Sequence, residues 1–210
     1  GILKIHAPKL KSAKIDASVA AQIRTSVLFA GPLLARAGRA SIPPPGGDDI
    51  GHRRLDTHFA GFQALGAKAV VGRKTLNFSG NLKGTRILLD EASVTATENI
   101  MMAAVLAKGT TEIYNAACEP HISDLAEMLC KMGAKISGAG TNRIIIEGVE
   151  SLGGCEARVG CDYIEAGSYI VAAAVTGGEL ILKGIDEGPF EIMEGAFKRF
   201  GVTWTIDKKE

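Results

Sequence analysis

The sequence predicts an α/β fold of the mixed α+β kind, assembled from repeats of a strand–helix–strand–helix–strand–strand unit. Three observations carry this. Glycines that close a helix, Gly66, Gly133 and Gly201, stand 67 and 68 residues apart. Glycines ahead of a middle strand, Gly38, Gly109 and Gly178, stand 71 and 69 apart. Around both landmarks the apolar patterns follow the same order. The period exceeds that of solenoid repeats and is long enough for a βαβαββ unit with its own small sheet. One-sided sheets of this size must bury their apolar faces against helices.

Taken in order, residues 2–6 and 13–17 alternate as strands do. Ser18 is placed to cap a helix over Val19–Ala37, with Val19, Ile23, Val27, Ala30 and Leu34 on one stripe, a kink at Gly31-Pro32 and Gly38 as its end. A strand at 39–42, a loop, and a helix over 54–65 follow, then strands at 69–71, 75–79 and 86–89. The next round reads as a helix at 94–107, a strand at 110–114, a helix at 122–132, a strand opening at Met132-Gly133-Ala134, and a strand at 143–147. The last round has a helix at 163–175, a strand at 179–183, a helix at 190–200 and a strand opening at Val202.

Composition narrows the function classes. Of 210 residues, 24 are Lys or Arg and 23 Asp or Glu, for a net charge of +1. No basic excess points to nucleic acid. No apolar run approaches the 18 or so residues of a membrane span. The most apolar windows, Val27–Leu34 and Ile170–Val175, read as buried helices. The N-terminus lacks a signal peptide's layout and starts abruptly, as though mid-protein. Cys118, Cys130, Cys155 and Cys161 lack metal-ligand spacing and read as reduced, partly buried thiols. Together these features favour the cytoplasm.

The stretch with chemical character is 39–58. Pro43–Pro45 end the strand. Gly46, Gly47 and Gly51 permit positive φ and close approach to the backbone. Asp48, Asp49, His52, Arg53 and Arg54 lie among them. The loop delivers two guanidiniums to a helix start, where free N–H groups and the dipole favour an anion, and Arg binds phosphate and carboxylate bidentately. Asp49 reads as a loop cap or solvated charge, and His52 and His58 as structural residues.

Several motifs then converge: Ile23-Arg24-Thr25-Ser26 with Gly31-Pro32-Leu33, Pro45-Gly46-Gly47-Asp48-Asp49-Ile50-Gly51-His52-Arg53, Arg54-Leu55-Asp56-Thr57-His58, Ser93-Val94-Thr95-Ala96-Thr97, and Asn115-Ala116-Ala117 with Glu119-Pro120. In these the chain resembles the enolpyruvyl transferases, and among them the branch acting on UDP-N-acetylglucosamine, over essentially its whole length. The resemblance implies an EPSP synthase-like inside-out α/β barrel, with two domains of three βαβαββ units each. Residues 1–160 would hold the second and third units of domain one, with the active-site loop at 43–53, and 161–210 the first unit of domain two. The chain would then be about half of an enzyme whose remaining half completes the cleft.

The implied reaction moves the enolpyruvyl group of phosphoenolpyruvate to the 3-hydroxyl of UDP-N-acetylglucosamine with loss of phosphate, in peptidoglycan synthesis. No metal or cofactor is implied. By matched position, Arg24, Arg53, Arg54, Leu55, Asp56 and Thr57 would contact the two substrates, and Ser93 and Val94 the nucleotide. Asp48 falls where most members carry the cysteine that protonates the enol carbon and is the target of fosfomycin; a minority carry Asp. Glu91, His121 and Tyr163 stand where Lys, an acid and Arg are common, which bears on the nucleotide contacts. Two alternatives stay open: the shikimate-3-phosphate enzyme, disfavoured by the Gly-Gly-x-x-Ile-Gly-x-Arg loop, and a non-catalytic, truncated binding module.

Overall fold

In a computed structural model, residues 1–48, 51 and 53–207 are described; the readings of Asp49 and His52 fall outside them. The chain divides into two compact units, Gly1–Glu156 and Ala157–Glu210.

The first unit contains α1 (Ala17–Ala20), a 3-10 helix (Arg24–Phe29), α2 (Ala30–Ala37), β1 (Arg39–Ile42), α3 (Asp56–Ala64), β2 (Lys68–Val71), β3 (Leu76–Ser79), β4 (Arg86–Leu88), α4 (Val94–Ala104), β5 (Thr110–Tyr114), α5 (Pro120–Lys131), β6 (Lys135–Ser137) and β7 (Arg143–Glu147). From β4 to β7 this is one βαβαββ module. Its sheet runs β4-β5-β7-β6, with β4 parallel to β5 and the other pairs antiparallel. The parallel pair requires a crossover, which α4 supplies.

The same topology recurs upstream, where the sheet runs β1-β3-β2. The expected strand at 13–17 shrinks to a parallel bridge between Lys14 and Ser41, held by Ile15 N donating to Ser41 O (3.1 Å) and Ser41 N to Ala13 O (2.8 Å). The strand expected at 2–6 does not form. Ile2, Leu3 and Ile5 are exposed, and alternation alone provides no partner for a strand's backbone groups.

The helix expected over 19–37 is broken into three. Asp16, not Ser18, caps α1 by accepting from Ser18 N at 2.8 Å. Pro32 has no N–H for the carbonyl four residues earlier, and its ring crowds that carbonyl. The chain before it winds as a 3-10 helix, and α2 takes Pro32 into its first turn, where the missing donor is harmless. Gly38 ends α2 in the left-handed conformation at φ 65°.

Strand residues alternate between core and solvent, so each sheet turns one face to the helices. α4 is the innermost helix, with Ala96, Thr97, Asn99, Ile100, Met101, Ala103 and Ala104 all buried. Two glycines admit its neighbours. A Cβ on Gly31 of α2 would lie 2.3 Å from the Asn99 carbonyl oxygen, and one on Gly61 of α3 would lie 2.2 Å from Ile100 Cδ1.

The second unit contains α6 (Tyr163–Thr176) and α7 (Glu187–Lys198). Asp162 caps α6 through Ile164 N and Glu165 N, and Gly177 is its left-handed terminus. Trp204 packs edge-on against Phe190 and Phe197. No strand forms at 179–183, nor among the described residues from Val202 onward, because this unit offers no ladder to pair with. The 170–175 window is not a buried helix either: Val171 and Val175 are exposed. Cys118 and Cys130 are exposed rather than partly buried, while Cys155 and Cys161 are intermediate; all four are free thiols. Among the described residues no helix is long and apolar enough to cross a membrane.

Gly→Ala in a helix ordinarily stabilises by about 0.5–1 kcal/mol, whereas overpacking costs about 1–3 kcal/mol. Overpacking wins at both contacts. Gly31→Ala meets a backbone carbonyl that cannot rotate away, so it should destabilise the protein more than Gly61→Ala, whose obstacle is a side chain with other rotamers. Urea unfolding of the two variants checks the order; a stabilised Gly31→Ala protein would contradict the close α2–α4 contact.

Candidate functional site

Residues 20–24 hold both ends of the 43–53 loop. At the entrance, Gly46 N and Gly47 N donate to the carbonyls of Ala20 (3.0 Å) and Ala21 (3.4 Å). A Cβ on Gly46 would stand 1.7 Å from the Ala21 oxygen, and Gly47 has φ 93°. Only glycine lets the loop lie this close. Asp48 follows at once and is exposed. At the exit, Arg24 Nη2 donates to the carbonyls of Arg53 (3.0 Å) and Arg54 (3.2 Å).

The arginines divide into two kinds. The half-buried Arg24 has neutral carbonyl acceptors; burial lowers its pKa first and the charge of Arg53 second. The Arg53 side chain is exposed, and among the described residues neither guanidinium forms an ion pair with a carboxylate. Arg54, by contrast, is fully engaged. Its Nε donates to both oxygens of Asp56 (2.9 and 3.0 Å), and Nη2 reaches Asp56 and also Asp90 Oδ2 at 2.6 Å. Hydrogen bonding to Asp56 and then Asp90 raises the Arg54 pKa. The expected pair of free guanidiniums at the helix start therefore reduces to Arg53, with Arg24 supplying the second positive charge from another element.

The turn into α3 is ordered by the same residues. Leu55 is its half-buried N-cap and packs against the core. Its carbonyl accepts from His58 N (3.1 Å) and Phe59 N (3.3 Å). Asp56 lies in the first turn, where an anion is favoured, and the Arg54 hydrogen bond lowers its pKa. Thr57 is 2% exposed and donates its hydroxyl to Asp90 Oδ1 at 2.9 Å. Ser93 caps α4 through Ala96 N (3.3 Å), and Val94 begins that helix. Glu91 is exposed and accepts from Ser93 N through its carbonyl at 2.8 Å. An open groove between α3, β2 and β4 starts at this cluster, lined by Asp56, Thr57, Ala60, Ala64, Leu88 and Asp90 among others; Arg24, Asp48 and Arg53 do not line it.

Beneath the arginines lies a buried polar network. His58 is 1% exposed. Asn99 Nδ2 donates to Val27 O (2.9 Å) and contacts His58 Nδ1 (3.1 Å), while Asn99 Oδ1 accepts from Gly31 N (2.7 Å). With Nδ1 as acceptor the proton resides on Nε2, which donates to Thr95 Oγ1 at 3.2 Å. Desolvation, and secondly the charge of Arg24, push the His58 pKa down to about 4, so the ring is neutral near pH 7. Asp90 and Asn99 escaped the sequence reading, and Thr95 entered it only as a member of the 93–97 motif with no role of its own. The one signal for Asp90 was a carboxylate directly after the apolar run Ile87–Leu89. Among the described residues no cluster of three His, Cys, Asp or Glu could hold a metal ion.

The family profile described as EPSP synthase (3-phosphoshikimate 1-carboxyvinyltransferase) matches residues 3–210. The UDP-N-acetylglucosamine 1-carboxyvinyltransferase of Treponema denticola is 51% identical over 206 residues, covering 98% of this chain and 48% of its own length. The Bacteroides fragilis protein of the same name is 52% identical over 183 residues, covering 86% of this chain and 42% of its own. The chain spans about half the length of the curated relatives it matches. Among solved structures, EPSP synthase from Acinetobacter baumannii superposes with a TM-score of 0.60 at 23% identity, over 84% of this chain and 41% of that one. The enolpyruvyl transferase NikO from Streptomyces tendae gives 0.57 at 21%, over 70% and 36%. These two bear on the fold alone.

Because the His58 pKa lies below its ordinary value of about 6.5, the neutral ring contributes stability that is present above pH 6.5 and lost as pH falls through 4. Between those values the unfolded chain binds the extra proton, so stability should fall on acidification by up to about 1.4 kcal/mol per pH unit from this group. His58→Gln keeps an acceptor for Asn99 and removes the titration. Urea unfolding at pH 7 and pH 5 should show a smaller loss in the variant than in the parent; equal losses would place the titration elsewhere.

Proposed function

The chain belongs to the EPSP synthase family, and on that premise we propose that it forms part of a UDP-N-acetylglucosamine 1-carboxyvinyltransferase. The enzyme transfers the enolpyruvyl group of phosphoenolpyruvate to the acceptor's 3-hydroxyl and releases phosphate, in the cytoplasmic branch of peptidoglycan synthesis and cell-wall biogenesis. The observation that carries this reading is the pair of guanidiniums, Arg24 and Arg53, that oppose each other's charge at the exit of the loop and form no ion pair with a carboxylate among the described residues. Such a pair is stabilised by a bound polyanion, and phosphoenolpyruvate carries both phosphate and carboxylate. The shared name of the relatives near 50% identity favours UDP-N-acetylglucosamine as acceptor over shikimate 3-phosphate.

In this reading Asp48 gives its proton to the enol methylene, and the loop, fixed at both ends on residues 20–24, closes over the substrates to exclude water. Arg24 and Arg53 hold phosphoenolpyruvate. Arg54, Leu55, Asp56 and Thr57 form the acceptor turn with Ser93 and Val94; Arg54 acts there through its hold on Asp56. Residues 1–160 are the second and third units of one domain and 161–210 the first unit of the other. The rest of the full-length enzyme supplies the opposite wall of the cleft, so residues 1–210 alone should not turn over. No cofactor takes part.

The test is phosphate release from phosphoenolpyruvate by the full-length natural protein. Release should depend on UDP-N-acetylglucosamine; release with shikimate 3-phosphate instead, or none at all, overturns the assignment. Arg53→Ala removes a charge-assisted contact worth about 1.5–3 kcal/mol, a roughly 10–150-fold loss in kcat/KM, and should exceed the loss in Asp49→Ala. The reverse order would deny Arg53 its part.

Asp48 makes the chemistry separable from the drug response. Fosfomycin's epoxide is opened by a thiolate, a far stronger nucleophile than a carboxylate. The parent should therefore tolerate fosfomycin, and Asp48→Cys should keep substantial activity and gain time-dependent inactivation with one adduct by mass spectrometry. Asp48→Asn, with no proton to give, should lose most turnover. An adduct on the parent, or near-normal turnover in Asp48→Asn, removes Asp48 from the role.

A further inference from the structure

We infer that Asp90 is a positioning residue for the acceptor: it fastens the 54–57 turn to the 90–94 turn so that both face one ligand in a fixed register. The inference rests on the function proposed above. Both carboxylate oxygens of Asp90 are spent on the other turn, Oδ1 on the Thr57 hydroxyl (2.9 Å) and Oδ2 on Arg54 Nη2 (2.6 Å). Among the described residues every side-chain hydrogen bond joining 54–57 to 90–94 ends on Asp90. Arg54 adds the second half of the link, since it grips Asp56 with the same guanidinium. The two turns belong to successive βαβαββ modules, β4 lies at the edge of its sheet, and no ladder runs from β4 to the upstream sheet. Side chains therefore set their spacing: Asp90 at the turns themselves, and the His58–Thr95 and His58–Asn99 contacts within α3 and α4. Each turn also leads straight into a helix, α3 and α4, so a shift of either turn is a shift of a helix start.

The ion-pair half of the link is exposed, with Arg54 and Asp90 side chains at 46% and 51%, while the Thr57 half is part-buried. Exposed ion pairs add little to global stability. Loss of Asp90 should therefore leave the fold standing and show itself in ligand geometry. Two substrates make that visible: the acceptor would touch both turns, while phosphoenolpyruvate would be held by Arg24 and Arg53, which Asp90 does not contact.

The experiment uses the full-length natural protein with Asp90→Ala and Asp90→Asn, each checked for an unchanged thermal midpoint. In Asp90→Ala the KM for UDP-N-acetylglucosamine should rise roughly tenfold or more, with kcat and the KM for phosphoenolpyruvate within about threefold of the parent, the signature of lost uniform binding to one substrate. Asp90→Asn still accepts from Thr57 but offers Arg54 no charge, and should fall between. Hydrogen–deuterium exchange of a peptide covering residues 53–62 should quicken in Asp90→Ala without ligand. Equal rises in both KM values, no rise in either, or unchanged exchange overturns the inference. If the parent proves inactive with UDP-N-acetylglucosamine, the proposed function fails by itself, and the exchange comparison still decides whether Asp90 holds the turn.

Discussion

One buried carboxamide ties the first unit together. Asn99 lies in α4 with no solvent contact, so every polar atom it brings inside must be satisfied by protein. It satisfies them on three other elements: the Val27 carbonyl in the 3-10 helix, the Gly31 amide in α2 and the His58 ring in α3. The price of breaking any one bond is a desolvated, unpaired group, which sets the positions of all four elements at once. The 3-10 helix carries Arg24, and α3 begins at the 54–57 turn. The candidate site is therefore referenced to a core contact rather than to its own loop.

This arrangement explains how a Pro- and Gly-rich loop acquires a defined base. Residues 20–24 receive the loop's entrance through two glycine amides and its exit through the Arg24 side chain. Charge is apportioned in the same way. Arg54 is neutralised by Asp56 and Asp90 and builds the turn, while Arg24 and Arg53 keep their charge unmatched among the described residues. His58, held neutral beneath Arg24, adds no further positive charge to that repulsion.

Chain order and spacing were strongly legible. The left-handed glycines Gly66, Gly133 and Gly201, the strands β1 to β7 and the helices α3 to α7 fall within a few residues of their expected places, because caps, turns and apolar periodicity are local properties. The misreadings have two causes. Segments 2–6, 179–183 and 202 onward have strand-like alternation, yet a strand exists only with a partner. The 19–37 stripe has helical periodicity, yet Pro32 and the need to bring Arg24 to the loop break it into three.

Residue types and their order determined the repeat and the loop with its arginines, since glycine, proline and arginine declare their backbone and charge preferences wherever they stand; Asp48, Arg24, Leu55, Asp56 and Thr57 were singled out by the resemblance to the enolpyruvyl transferases. Tertiary structure alone decided which arginine is matched and which is not, and that Asp90, Thr95 and Asn99 matter. Asp90 is 36 residues from Arg54 and Asn99 is 72 from Val27. No local pattern encodes a hydrogen bond across such a distance; it exists only once two repeats have packed against each other.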